Sequence, residues 1–112
     1  MDISSKLELL EQSKKTFDKL IVELRKRGYI LAKAEREYRK ALAKREIVLR
    51  DNKYPSNLAG DIARGQESDL RYKRDIAELE FEIVKDQLRN ERMQIEALRS
   101  TLAFDRATYL NQ

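Results

Sequence analysis

Two apolar repeats separated by a single proline constrain this chain more than any other feature of its sequence. In the first repeat, mostly apolar positions recur in alternating steps of three and four residues from Leu7 to Leu49, and in the second they do so from Leu70 to Tyr109. Such steps keep side chains on one face of an α-helix, and their repetition over several heptads is typical of coiled coils. Pro55 lies between the repeats and cannot continue a helix. The sequence therefore predicts two long helices.

Helices of similar length that are joined by a short connection pack as antiparallel neighbours. We therefore predict an all-α fold, an antiparallel two-helix coiled-coil hairpin with a short helical elbow. Gly28 weakens the first helix, because glycine costs about 1 kcal/mol relative to alanine in a helix interior. It is expected to mark either a kink or the boundary between an N-terminal helical extension, residues 1–28, and the helical hairpin, residues 29–112. The hairpin is expected to comprise a helix over about 29–51, the elbow over 52–67 and a helix over about 68–110.

Local signals predict how these segments begin and end. The first helix is expected to start at Ser4 or Ser5, and Ser5 forms a predicted capping box with Glu8 three residues later. In the elbow, Ser56 or Asn57 is expected to cap a short helical turn, which Gly65 is expected to end. The elbow is thus predicted to be ordered, not a flexible linker.

The second apolar repeat is broader than one seam requires. Ile76, Leu79 and Ile83 widen it near the start of the second helix. Two helices bury only one seam each, so these side chains are expected to stay partly exposed in a monomer. We therefore expect a homo-oligomer, a dimer or a larger helical bundle, that covers them.

Composition narrows the functional classes. Hydrophobic residues make up 41% of the chain and charged residues 39%, which is typical of long helices. Because Cys and His are both absent, the chain has no thiolate and lacks the most common general base and metal ligand. No Gly-rich phosphate loop or nucleophile elbow occurs, so we expect a protein that is not an enzyme and uses no cofactor or metal. With no signal peptide and no apolar run of roughly 20 residues, we expect a cytoplasmic location and no membrane partner.

Three segments from about Tyr29 onward resemble a family of small coiled-coil proteins of temperate bacteriophages and prophages of Gram-positive bacteria. They read AEREYRKALAKREIVLR, NKYPSNLAGDIARG and LRYKRDIAELEFEIVKDQLRNERMQIEALRS. The matching positions are Ala34, Tyr38, Arg39, Ala41, Leu42 and Ala43, then Asp61, Ile62, Ala63, Arg64 and Gly65, then Leu70, Arg71, Lys73, Arg74, Asp75, Ala77 and Glu78. Such proteins are commonly encoded among early phage genes, near replication and recombination functions. The resemblance implies a phage accessory protein in the cytoplasm of a bacterial host.

A first candidate binding surface, the tip cluster, is expected at the end of the hairpin. It consists of Tyr54, Arg64, Arg71, Lys73 and Arg74. Several cations in one place could bind a phosphate or an acidic protein surface. The alternative is structural, because nearby aspartates could neutralise the cations, and the tyrosine beside the proline could serve to fix the elbow.

A second candidate surface, the basic face, lies on the first helix opposite its apolar seam. It consists of Lys26, Lys33, Arg36, Lys40 and Lys44. These five cations extend over about 27 Å of helix and could follow a nucleic-acid backbone. The alternative is an ordinary solvated face, because Glu35, Glu37 and Glu46 lie nearby in sequence and could interrupt the positive field.

These observations predict a helical interaction protein of phage origin that is not an enzyme. We expect it to bind a host or phage protein, for example as an inhibitor of host nucleic-acid enzymes or of host defence. The alternative is a nucleic-acid-binding accessory protein of phage replication or recombination. The two hypotheses differ in the salt dependence of binding, which is steep when phosphates are contacted.

Overall fold

The computed structural model describes residues 1–111 and contains three α-helices. They are α1 (Ile3–Asp51), α2 (Ser56–Gln66) and α3 (Ser68–Leu110). Within the described residues no strand is present. The predicted all-α hairpin is therefore confirmed, with α2 as the helical elbow between two long arms.

The arms form two compact units, each of which pairs a part of α1 with a part of α3. One unit comprises Met1–Arg25 and Ile83–Gln112, and the other is Lys26–Glu82. α1 runs through Gly28 without interruption. The glycine lies against an aromatic ring, since a Cβ atom at this position would be 3.4 Å from Cε2 of Phe81. The predicted division into an extension and a hairpin at residue 28 stays a prediction.

In the first unit, α1 and α3 meet along a seam that departs from the predicted one on α1, where the predicted Lys14 is exposed and its neighbour Ser13 is buried. Val84 and Ile95 are buried, and so is Ser13 on α1. Near the ends of the two arms, Lys6 donates a hydrogen bond to the carboxylate of Asp105, and both side chains are largely shielded from solvent. An early residue of α1 thus pairs with a late residue of α3, as antiparallel packing requires.

In the second unit, small and aromatic residues fill the seam, and the core is closed by the elbow. Ala34, Tyr38 and Ala77 are buried between the arms. A cluster at the elbow end consists of Leu49, Ala59 and Ala63, with Leu42 and Ile62 packed against it. Ala59 and Ala63 are fully buried, because their small side chains allow α2 to lie close to the end of α1. This packing orders the elbow.

The end of α1 has a backbone geometry that its sequence does not predict. The N–H of Tyr54 donates to the carbonyl of Leu49 at 3.1 Å, and the N–H of Lys53 donates to that of Arg50 at 2.9 Å. These two bonds form a Schellman motif, in which the residue after the C-cap adopts a left-handed conformation. That residue is Lys53, with φ of 69°. Glycine is the usual residue there, so a lysine gives no sequence signal for this motif.

The predicted capping box at Ser5 is wrong. α1 begins at Ile3 and is capped by Asp2, whose Oδ1 atom accepts a hydrogen bond from the N–H of Ser5 at 2.7 Å. A carboxylate at this position also interacts favourably with the helix dipole, and it takes the place of the predicted capping box at Ser5. The pKa of Asp2 is lowered by the backbone hydrogen bond from Ser5.

The elbow also differs in detail from its prediction. α2 begins at Ser56 after Pro55, with no side-chain hydrogen bond as a cap, and Gly65 lies inside the helix instead of ending it. No described glycine has a positive φ. The C-cap is Glu67, whose N–H donates to the carbonyl of Ala63 at 2.9 Å. α3 follows at once, and Glu67 has a φ of −100° and a ψ of 23°, so no left-handed residue is needed there.

Candidate functional site

The basic face is exposed to solvent. All five of its side chains are exposed. At about 100° per residue they fall within an arc of about 80° on α1, on the side away from the seam. None of the five forms an ion pair within residues 1–111. The structure therefore places five exposed cations along one face of one helix.

The three glutamates expected to interrupt this face are engaged elsewhere. Glu35 accepts a hydrogen bond from Nε of Arg39 at 2.7 Å and lies 3.5 Å from Nε of Arg74. The remaining two follow the same pattern, with Glu37 bonded to Lys73 at 3.4 Å and Glu46 lying 3.8 Å from Arg50. Each carboxylate contacts a cation outside the basic face, so no carboxylate of this group neutralises the face by direct contact.

An aromatic residue stands among these cations. The side chain of Tyr29 is 78% exposed. It follows Lys26 by three residues and precedes Lys33 by four, so it is a surface neighbour of both on the helix. The sequence does give a signal for this residue, because Tyr29 is not a position of the apolar repeat and its spacing places it on the same helix face as the lysines. Neither candidate surface predicted from the sequence included it.

The tip cluster is largely paired within the protein. Arg74 is only 23% exposed, and it donates to Asp75 at 2.8 Å and lies 3.5 Å from Glu35. Its guanidinium lies over the ring of Tyr38, 4.9 Å from the ring centre. The pKa of Arg74 is raised, mainly by the hydrogen bond to Asp75. Arg74 therefore stabilises the packing of the two arms.

The other members of the tip cluster are more exposed. Arg64 bonds to Asp61, and Lys73 bonds to Glu37 of the opposite arm. Arg71 is exposed and forms no ion pair in the part of the chain that the structure describes, and Tyr54 is 44% exposed. Of the four cations in this cluster, three are thus already matched by carboxylates.

A third surface consists of apolar residues on the side of α3 away from the seam. We call Tyr72, Ile76 and Leu79 the outer stripe; their side chains are 68%, 37% and 57% exposed. Steps of four and three residues place them on one helix face. Two of the three were expected from the width of the second repeat, and Ile83, farther along α3, is 48% exposed.

The structure supplies two further findings on the described residues. Nowhere in residues 1–111 do three or more acidic, histidine or cysteine side chains come together as a group that could hold a metal ion. Over the same range, no helix combines the length and apolar character needed to cross a membrane.

Searches against protein-family models, curated proteins and solved structures produced no match for this chain.

Proposed function

We propose that this protein is a nucleic-acid-binding accessory protein without enzymatic activity, and that its basic face contacts the phosphate backbone. The observation that carries the proposal is the set of five exposed cations without carboxylate partners on one face of α1. Phosphates neutralised by lysine or arginine release condensed counterions, and this release drives binding. The continuous helix α1 presents the five charges on one face within about 27 Å of its length.

The distribution of ion pairs favours the basic face over the tip cluster. A cation that is already ion-paired must break that pair, or share its charge with the carboxylate, before it binds a phosphate. Arg64, Lys73 and Arg74 carry that cost, whereas the cations of the basic face do not. The resemblance of the chain to temperate-phage proteins adds a setting to the proposal, namely replication or recombination in a bacterial host.

A protein-binding function is the second candidate, and it is favoured by the outer stripe. Asp69 lies within one helical turn of the stripe and has no cation partner in residues 1–111, whereas Asp75 and Glu80 are paired with Arg74 and Arg27. An exposed apolar strip with one free carboxylate at its edge fits a partner helix that has an apolar face and a basic residue beside it. A host or phage enzyme with such a helix would be recruited or inhibited by docking there. A second copy of the chain is the other occupant that we expected from the sequence.

Salt-dependent binding tests the proposed function. The purified protein is titrated into fluorescent single-stranded and duplex DNA, and the dissociation constant is measured by fluorescence polarisation. If all five cations contact phosphates of a single strand, log K changes with log salt with a slope of about −3.5, which is a loss of roughly 100-fold between about 50 and 200 mM salt. The double variant Lys33→Gln/Lys40→Gln should flatten the slope by about 1.4.

A matched control separates the basic face from net charge. The double variant Arg64→Gln/Lys73→Gln removes the same charge from cations that are paired in the structure. It should bind DNA almost as the unmodified protein does, and circular dichroism checks that both variants stay helical. Absence of binding to any DNA at micromolar protein and low salt would refute the proposed function. Equal weakening by both double variants would show that net charge, not the basic face, determines binding.

A further inference from the structure

Tyr29 has no role in the packing of the hairpin. Its ring is 78% exposed and lies on the side of α1 opposite the seam. Tyr38, nine residues later on the same helix, shows the contrast, because it is buried between the arms with a guanidinium over its ring. The fold therefore explains Tyr38 and leaves the ring of Tyr29 free to contact a ligand.

The position of Tyr29 relates it to the basic face. Lys26, Lys33 and Lys40 recur every seven residues, which spaces them by about 10 Å along the helix. Tyr29 lies between the first two of these lysines, and Arg36 lies between the second and the third. Tyr29 falls inside the arc of the five cations, so a chain of phosphates that follows them passes beside the exposed ring.

The ring distinguishes single-stranded from duplex ligands. In a duplex the bases are stacked on one another and their faces are closed to a side chain, whereas a single strand can turn a base onto an aromatic ring. A cationic surface that tracks the backbone, together with an aromatic platform, is the combination used by proteins that bind single strands without sequence preference. A cationic surface without an aromatic side chain would bind duplex and single-stranded nucleic acid alike.

We infer that the basic face binds single-stranded nucleic acid in preference to duplex, and that one base stacks on the ring of Tyr29. This inference rests on the proposed function and specifies its ligand. Because stacking tolerates any base, the site has little sequence preference. The backbone contacts provide most of the affinity and all of the salt dependence, while the ring provides the preference for unpaired strands.

The Tyr29→Ala variant tests the inference. It should weaken binding to an oligo-dT strand by between about 5-fold and 100-fold, as expected for the loss of one stacked base, and leave the salt slope unchanged. Duplex affinity should stay as it was, and Tyr29→Phe should keep the affinity for the single strand. Since alanine is the better helix former and the site is exposed, the variant should fold normally.

Tyr72→Ala is the matched control, because Tyr72 is a comparably exposed tyrosine on α3, outside the basic face. It should bind oligo-dT as the unmodified protein does. A strand that contains 2-aminopurine gives a direct readout, since its fluorescence should be quenched by stacking in the unmodified protein and not in Tyr29→Ala.

Each failure has a distinct meaning. The inference is overturned if Tyr29→Ala leaves the affinity for the single strand unchanged, or if duplex binds more tightly than single strand. Either result overturns it even when Lys33→Gln/Lys40→Gln weakens binding and so supports the basic face. Displacement of oligo-dT by polyglutamate as readily as by nucleic acid would show a general polyanion site, such as one for an acidic protein, and would overturn the inference as well. Failure of every DNA ligand to bind refutes the proposed function itself.

Discussion

The substitution Gly28→Ala measures how closely α1 approaches α3. Gly28 lies inside a continuous helix, and a Cβ atom added there would be 3.4 Å from Cε2 and 3.9 Å from Cδ2 of Phe81. Both distances are ordinary van der Waals contacts, so a methyl group fits without movement of the ring. The substitution is therefore expected to stabilise the protein.

The expected gain can be worked out from two terms. Alanine is favoured over glycine in a helix interior by about 0.8–1 kcal/mol. Burial of one methyl group would add up to about 0.8 kcal/mol, and a half-buried site should yield less than half of that. The free energy of unfolding should therefore rise by about 1–1.3 kcal/mol. For a chain of this length, such a change raises Tm by about 4–6 °C.

Thermal and urea unfolding, followed by circular dichroism at one fixed protein concentration, would measure the gain. The concentration must be fixed because self-association would make Tm depend on it. Gly65→Ala is the control, since Gly65 lies in α2 and a Cβ atom added there meets nothing within 4 Å. Its free energy of unfolding should rise by up to about 1 kcal/mol, from helix propensity alone. A loss of stability in Gly28→Ala with a gain in Gly65→Ala would refute the described spacing between Gly28 and Phe81.

Two further predictions concern the ends of α1. Lys53→Gly should raise the free energy of unfolding, measured in urea, by about 0.5–1 kcal/mol. The strain of a left-handed lysine is relieved, and this relief outweighs the added conformational freedom of the unfolded chain. A lower free energy of unfolding would contradict the Schellman motif. At the other end, the pKa of Asp2 lies below its ordinary value of 3.8, so its contribution to helix stability is complete above pH 3.8 and is lost as the pH falls through the lowered pKa. The NMR shift of the amide that it caps should titrate with a midpoint below 3.8, and Asp2→Asn should remove the titration; a midpoint at or above 3.8 would exclude the cap.

The candidate site was only partly predictable from sequence. The five cations of the basic face were identifiable because their spacing places them on one side of a helix. Whether those charges are free depends on the partners of the neighbouring glutamates. Glu35 lies one residue from Arg36, yet it contacts Arg74, which is distant in sequence. The same contact removes Arg74 from the set of free cations at the tip.

Taken by itself, the sequence determined that the chain forms two long helices, that they break at the elbow, and that residues such as Tyr38, Val84 and Ile95 line the seam. Those properties depend on local periodicity and on the missing N–H of Pro55, and both can be read along the chain. Only the tertiary structure decided that Lys53 adopts the left-handed conformation, that Gly65 stays helical, and which cations are free to bind a ligand. Those outcomes depend on groups that are far apart in sequence, or on how the next helix is joined, so no local pattern encodes them.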